Sequence, residues 1–360
     1  MKSILVIFLL VLNIQADNWL SFRGTQSNLG RADISLRSSP ELKWKFTTEG
    51  PIKGTAAIFE DRVYIGSEDK NIYCLNLKDG LKIWSKTLSD IVESSPLVLD
   101  GDLIIGTADG NLYRLDGKSG EQKWTYKADD RFAGAANWFS KDGQKIIIAG
   151  NYDNFVHAVK FEDGSKVWTY ETENFINGTP AIENERIIFG GCDNSIYVLG
   201  TDGKLISEID LGSYIAGSPG MENGQAYIGH YDNKYFRVDI AKQKIVWKFE
   251  KSNFPFFSSP AIGKDKIIFG GRDRRVYALN KETGERLWSF RTKGKNDSSP
   301  IIFQDKVTFG SSDGRIYIIN ASDGTEVWKY DVGKAIIAAP ALAQGKLIIG
   351  SSDGSLYCFE

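Results

Sequence analysis

The stretch Ser94-Ser95-Pro96-Leu97-Val98-Leu99-Asp100-Gly101-Asp102-Leu103-Ile104-Ile105-Gly106, continued by Thr107-Ala108-Asp109-Gly110-Asn111-Leu112-Tyr113-Arg114-Leu115, holds three short apolar runs separated by two Asp-Gly pairs. Asp-Gly between β-branched or aromatic runs is a hairpin signal, because both turn positions tolerate the left-handed backbone that a tight turn needs. A further turn at residues 117–120 leads to Gln122–Lys127, which carries Trp124. No helical period competes over this span. The predicted unit is a four-stranded antiparallel meander, with strands A to D in chain order.

Outward from this stretch the unit repeats. Apolar runs end at Gly66, Gly106, Gly150, Gly190, Gly229, Gly270, Gly310 and Gly350, and turns follow at Asp69, Asp109, Asp153, Asp193, Asp232, Asp273, Asp313 and Asp353. A register kept over eight copies is one supersecondary unit repeated. Strand A holds Pro96, Pro180, Pro219, Pro260, Pro300 and Pro340 behind small residues. Proline lacks a ladder donor and belongs at a sheet edge, which places strand A at the inner rim of a central channel. Strand D holds Trp44, Trp84, Trp124, Trp168, Trp247, Trp288 and Trp328, with Ser207 in the remaining copy. Large indoles on the outer strand are expected to pack into the neighbouring unit.

The last copy supplies strands A, B and C, while Leu42-Lys43-Trp44-Lys45-Phe46 is a lone D-type strand near the start. Pairing the two removes both free sheet edges. The expected fold is all-β: a closed eight-bladed β-propeller of four-stranded antiparallel blades, its last blade completed by the strand around Trp44.

Met1-Lys2-Ser3, the apolar run 4–12 and Ala16 read as a secretory signal peptide covering residues 1–16, too short an apolar run to span a bilayer. Residues 17–40 form a leader and residues 41–360 the propeller. No cysteine stands near the cleavage site to carry a lipid. The expected protein is exported, periplasmic or extracellular, and monomeric, with no membrane insertion after cleavage. A formal charge of -2 gives no global attraction for nucleic acid. Cys74, Cys192 and Cys358 are an odd number in an exported chain, and equivalent repeat positions lie too far apart to bridge, so three buried thiols are expected.

The pattern small-small-Pro, apolar-Gly, Asp-x-x-apolar-Tyr and Gly-x-x-x-Trp, as in Asp109 to Tyr113 with Gly120 to Trp124 and Asp313 to Tyr317 with Gly324 to Trp328, resembles the PQQ-like, quinoprotein-type repeat propellers. The resemblance covers residues 41–360, and Trp19-Leu20-Ser21-Phe22-Arg23-Gly24 resembles a leader found before such propellers. Two branches follow from it. Quinoprotein dehydrogenases hold PQQ and calcium on the propeller axis and carry a vicinal disulfide, whereas no two cysteines are adjacent here. The other branch is non-catalytic and includes BamB, an outer-membrane assembly lipoprotein. A fold likeness does not carry PQQ binding with it.

The residues themselves show no metal spacing, nucleophile elbow or phosphate loop. His157 stands where other copies have tyrosine, a structural substitution, and His230 follows Gly229 in a B–C turn, where exposure is expected. The repeated aspartates are expected to serve their own turns. In a meander the B–C and D–A loops share one end of the channel. Arg131, Phe132, Phe175, Tyr214, His230, Phe254, Phe256, Phe257, Arg272 and Arg274 gather there, with Tyr152 and Tyr231. Exposed aromatics with arginine match the composition of interface hot spots. The expectation is a non-catalytic scaffold without a cofactor, binding a protein or an envelope polymer on that face. A reduced PQQ- and calcium-dependent oxidoreductase and a carbohydrate-binding propeller are the alternatives.

Overall fold

The computed structural model describes residues 18–360, and the signal peptide expected over residues 1–16 lies outside the described residues. Among these every regular element is a strand. The blades span residues 57–87, 97–127, 137–171, 181–210, 220–249, 261–291 and 301–331, each with strands A to D in consecutive order. The eighth sheet consists of Ala341–Ala343, Lys346–Gly350 and Ser355–Phe359, with Leu42–Thr47 as its outer strand. Trp44 faces Cys358 and Phe46 faces Leu356, and Glu41 and Glu360 exchange backbone hydrogen bonds of 2.9 and 3.0 Å. The ring is closed as expected. No helix among the described residues is long and apolar enough to cross a membrane.

The repeated glycine of strand B has a cause that only the assembled ring reveals. A Cβ on Gly66 would lie 2.3 Å from Val92, on Gly150 2.3 Å from Ile176, on Gly190 2.2 Å from Ile215, and on Gly310 2.1 Å from Ile336. In each case the next D–A loop drops one side chain onto the bare backbone. Close packing leaves no room for even a methyl group there.

The tryptophans follow a matching rule at the outer rim. Trp44 donates its indole N–H to the Leu77 carbonyl at 3.0 Å, Trp124 to Phe161 at 2.8 Å and Trp288 to Ala321 at 3.0 Å, all in the following blade. Their rings lie on Gly80, Gly164 and Gly324, which leave no space for a Cβ. Ser207 breaks the series, and Gln243, not glycine, fills the matching turn of the next blade. Trp84, Trp168 and Trp328 keep part of their surface exposed.

The leader is part of the ring. The second residue of strand A in successive blades donates its N–H to it: Ile58 to Trp19, Val98 to Leu20, Ile182 to Gln26, Met221 to Ser27, Ile262 to Leu29 and Ile302 to Gly30, at 2.7–3.0 Å. Blade 3 joins through the Gln26 side-chain amide on the Trp138 carbonyl at 2.6 Å. Arg31–Ala32 then adds a parallel fifth strand to blade 7. Inner-edge N–H groups would otherwise be buried without acceptors. The leader supplies those acceptors and closes the A–B end of the channel.

Candidate functional site

With one end capped, the axis is a funnel open at the B–C/D–A end. It encloses about 190 Å³, with Phe22 of the leader beneath it. Below the mouth Gly54, Gly134, Gly178 and Gly217 bring neighbouring loops together, and the hydroxyls of Ser95, Thr179, Ser218, Ser259 and Ser299 accept backbone N–H groups from the preceding loop at 2.8–3.1 Å. The Arg23 side chain, fully buried, donates to the inner-strand carbonyls of Ser299 and Pro260 at 3.0 and 2.6 Å and of Pro300 at 2.5 Å. Asn28 donates to those of Thr179 and Pro219, both at 3.1 Å. Burial lowers the Arg23 pKa to about 9, still above neutrality.

The mouth is formed by one residue from each D–A loop, among them Lys53, Glu93, Asn177, Phe257 and Asp297. Its charged side chains are each engaged in an ion pair. Lys53 bridges Glu68 and Glu93, and although burial alone would raise it, the Lys53 ammonium holds Glu93 below the usual carboxylate range. Arg272 forks onto Asp297 at 2.9 Å through two nitrogens, its guanidinium 3.8 Å above the Phe257 ring. Among the described residues no three His, Cys, Asp or Glu side chains converge in a way that could hold a metal ion.

Around the mouth runs an arc of aromatic rings confined to blades 3 to 6 and their loops. Tyr152 and Phe175 stack at 5.1 Å and 4°, with Arg131 4.2 Å over Tyr152. Tyr214 meets Tyr231 at 6.2 Å, and Tyr231 meets Phe257 at 5.9 Å. Phe175, Tyr214, Tyr231 and Phe254 are 45%, 52%, 54% and 52% exposed; the exposed large aliphatics lie on or beside the outer strands instead. Each B–C loop is tied to the adjoining D–A loop, as in Tyr152 N–H to Arg131 (3.1 Å) and Tyr231 N–H to Tyr214 (2.8 Å).

Three residues expected on this face do not reach it. Phe132, Phe256 and His230 are buried. Phe132 and Phe256 occupy the place where other loops drop Val92, Ile176 or Ile336 onto the strand-B glycine, and they cover Gly106 and Gly229 in the same way. His230 stands in the place of Ser67 and Thr107, its ring 4.9 Å from Phe236; burial lowers its pKa and favours neutral imidazole. Arg272 is committed to Asp297, whereas Arg274 is exposed on a left-handed turn (φ 67°). Cys192 is partly exposed beside Asn177, contrary to the expected third buried thiol. Burial pushes Cys74 up to about 11 and Cys358 to about 12.

His157 does take a tyrosine's place. Its Nε2 lies 3.0 Å from Asp153, as Tyr73 and Tyr317 donate to Asp69 and Asp313 at 2.7 and 2.8 Å. The turn aspartates also accept backbone N–H groups in their own loops, such as Asn71 to Asp69 at 3.0 Å. Sequence reasoning missed Arg23, Asn28 and the charged mouth residues. Aligning the D–A loops would have placed Lys53, Glu93 and Asp297 in one register; nothing local announces the docking of the leader.

No curated protein matches the chain by sequence. Among solved structures, BamB from Moraxella catarrhalis aligns with a TM-score of 0.75 at 20% identity, covering 89% of this chain and 97% of its own. The computationally designed Ika8 protein aligns at 0.77 and 15%, covering 87% and 97%. Quinohemoprotein alcohol dehydrogenase from Comamonas testosteroni aligns at 0.79 and 13%, covering 96% and 80%. At these identities the likeness is one of fold, and it agrees with the PQQ-like propeller resemblance at that level. The profile of the family described as "Beta-alanine-activating enzyme, beta-propeller" matches residues 92–360, most of the ring, and the chain therefore belongs to that β-propeller family.

Proposed function

We propose that this protein is an exported, non-catalytic propeller that holds a protein partner on the aromatic arc, as a BamB-like scaffold. The observation that carries this reading is the clustering of Phe175, Tyr214, Tyr231 and Phe254, all strongly exposed, in one sector of one face. Large rigid rings beside Arg131 and Arg274 give contact area at low entropic cost. The frame beneath them is fixed by ion pairs and loop-to-loop hydrogen bonds, so little ordering is left to be done on binding. The apolar run before Ala16 supports export.

Crosslinking in the native host with mass spectrometry identifies the partner, and recovery of the purified partner then tests the face. Phe175→Ala/Tyr214→Ala/Phe254→Ala is expected to cut recovery at least tenfold, a change of about 1.4 kcal/mol or more. The melting temperature should stay within a few degrees, since the three rings are exposed. Undiminished recovery would sink the assignment, and binding to a glycan array in place of protein would redirect it to sugars.

Catalysis with PQQ and calcium would need free carboxylates near the axis, yet Glu93 and Asp297 at the mouth are each paired with a cation. Titration with PQQ and calcium is expected to change neither absorbance nor melting temperature. Quinone-dependent dye reduction would overturn the non-catalytic reading.

A further inference from the structure

A cleft of about 370 Å³ opens between the outer strands of blades 6 and 7 and shares no lining residue with the axial funnel. Arg291, Lys293, Arg315 and Lys329 line it, against one lining carboxylate, Glu326. Its apolar wall is Phe290 packed edge-on against Tyr317 at 5.4 Å. Lys329 pairs with Glu326 at 2.7 Å and Arg315 with Asp331 at 2.9 Å. Asp313, next to the cleft, is nearly buried and accepts from the Lys293 and Arg315 N–H groups and the Tyr317 hydroxyl. Arg291 and Lys293 are exposed and have no carboxylate partner among the described residues.

The repeat supplies its own control. The Thr292 N–H bonds to Arg274 as Thr172 bonds to Asn154, and Ser311 bonds to Arg315 as Gly191 bonds to Ser195. Trp328 opposes Ile318 as Ser207 opposes Val198. Arg291, Lys293, Arg315 and Lys329 therefore correspond to Glu171, Glu173, Ser195 and Glu208 between blades 3 and 4. Between blades 1 and 2 the same places hold Thr87, Ser89, Asn111 and Thr125. The backbone repeats, but the charge does not. Ion pairs with Asp331 and Glu326 account for Arg315 and Lys329, whereas no ion pair accounts for Arg291 and Lys293 beside them.

We infer that the seam between blades 6 and 7 is an anion site for a phosphate-bearing group, with Arg291 and Lys293 as its free cations. A guanidinium fork matches tetrahedral oxyanions, and a lysine adds a mobile point charge. Single exposed ion pairs contribute little, so affinity requires several cations acting together. This inference is independent of the aromatic arc.

Titration calorimetry with inorganic pyrophosphate, and co-sedimentation with phosphatidylglycerol against phosphatidylcholine vesicles, separate a soluble phosphate from a lipid headgroup. Wild-type protein is expected to bind at least one of pyrophosphate and phosphatidylglycerol, more weakly as salt rises. Arg291→Gln/Lys293→Gln should lose at least tenfold, whereas Glu171→Gln/Glu173→Gln should not weaken binding. Both double variants lie at exposed positions, and unchanged melting would show that they fold. Absence of binding to both, or equal loss in both variants, would overturn the site.

Discussion

Phe256→Ala is expected to destabilise the protein by about 3–5 kcal/mol, whereas Phe254→Ala, two residues away, should change stability by no more than about 0.5 kcal/mol. Phe256 is fully buried, its ring 5.2 Å from and perpendicular to Phe269 and edge-on to Tyr235 and Tyr277 at 5.8 and 6.0 Å. Its Cβ stands over Gly229, where an added methyl would fall 2.5 Å away. Truncation leaves a cavity between blades 5 and 6 that rigid strands cannot collapse to fill. Phe254 is half exposed and loses only contact surface. Partner recovery should show the reverse order for the two variants. Denaturant unfolding of both, side by side, decides the matter; equal losses would mean that the loop register is misassigned.

Trp124→Ala should also lose about 3–5 kcal/mol. The indole is buried, donates to the Phe161 carbonyl of blade 3 at 2.8 Å, and lies flat enough on Gly164 that a Cβ there would come within 2.8 Å of the ring. Removing it opens the seam between blades 2 and 3 and leaves the Phe161 carbonyl with only the Arg114 guanidinium, at 2.7 Å, as its donor. A loss below about 1 kcal/mol would show that neighbouring blades do not depend on the indole. The Ser207 and Gln243 pair supports the opposite expectation, since the ring and its glycine are missing together at the single seam that lacks the tryptophan.

Much of the exposed candidate face was legible in advance for a simple reason. Residues that break a repeat are visible by contrast with the other copies, and Phe175, Tyr214, Phe254 and Arg274 were found that way. The same contrast misled at Phe132 and Phe256, which are large where five other copies have Ile or Val and one has Asn296. Size alone does not say whether a side chain points into the ring or out of it. A loop's direction is set by the glycine it covers, which lies about 26 residues earlier in the chain, as Gly106 does for Phe132.

What the amino-acid sequence determined by itself was the blade count, the strand order and the sharing of the last sheet between both ends of the chain. These follow from short-range turn chemistry and from the need to leave no open edge. Only the tertiary structure decided that residues 18–32 cap the inner strands, that Arg23 is buried against inner-strand carbonyls of blades 6 and 7, and that the seam between those blades collects four cations. Those arrangements join residues up to 277 positions apart, and it is ring geometry, not local preference, that brings them within hydrogen-bonding distance.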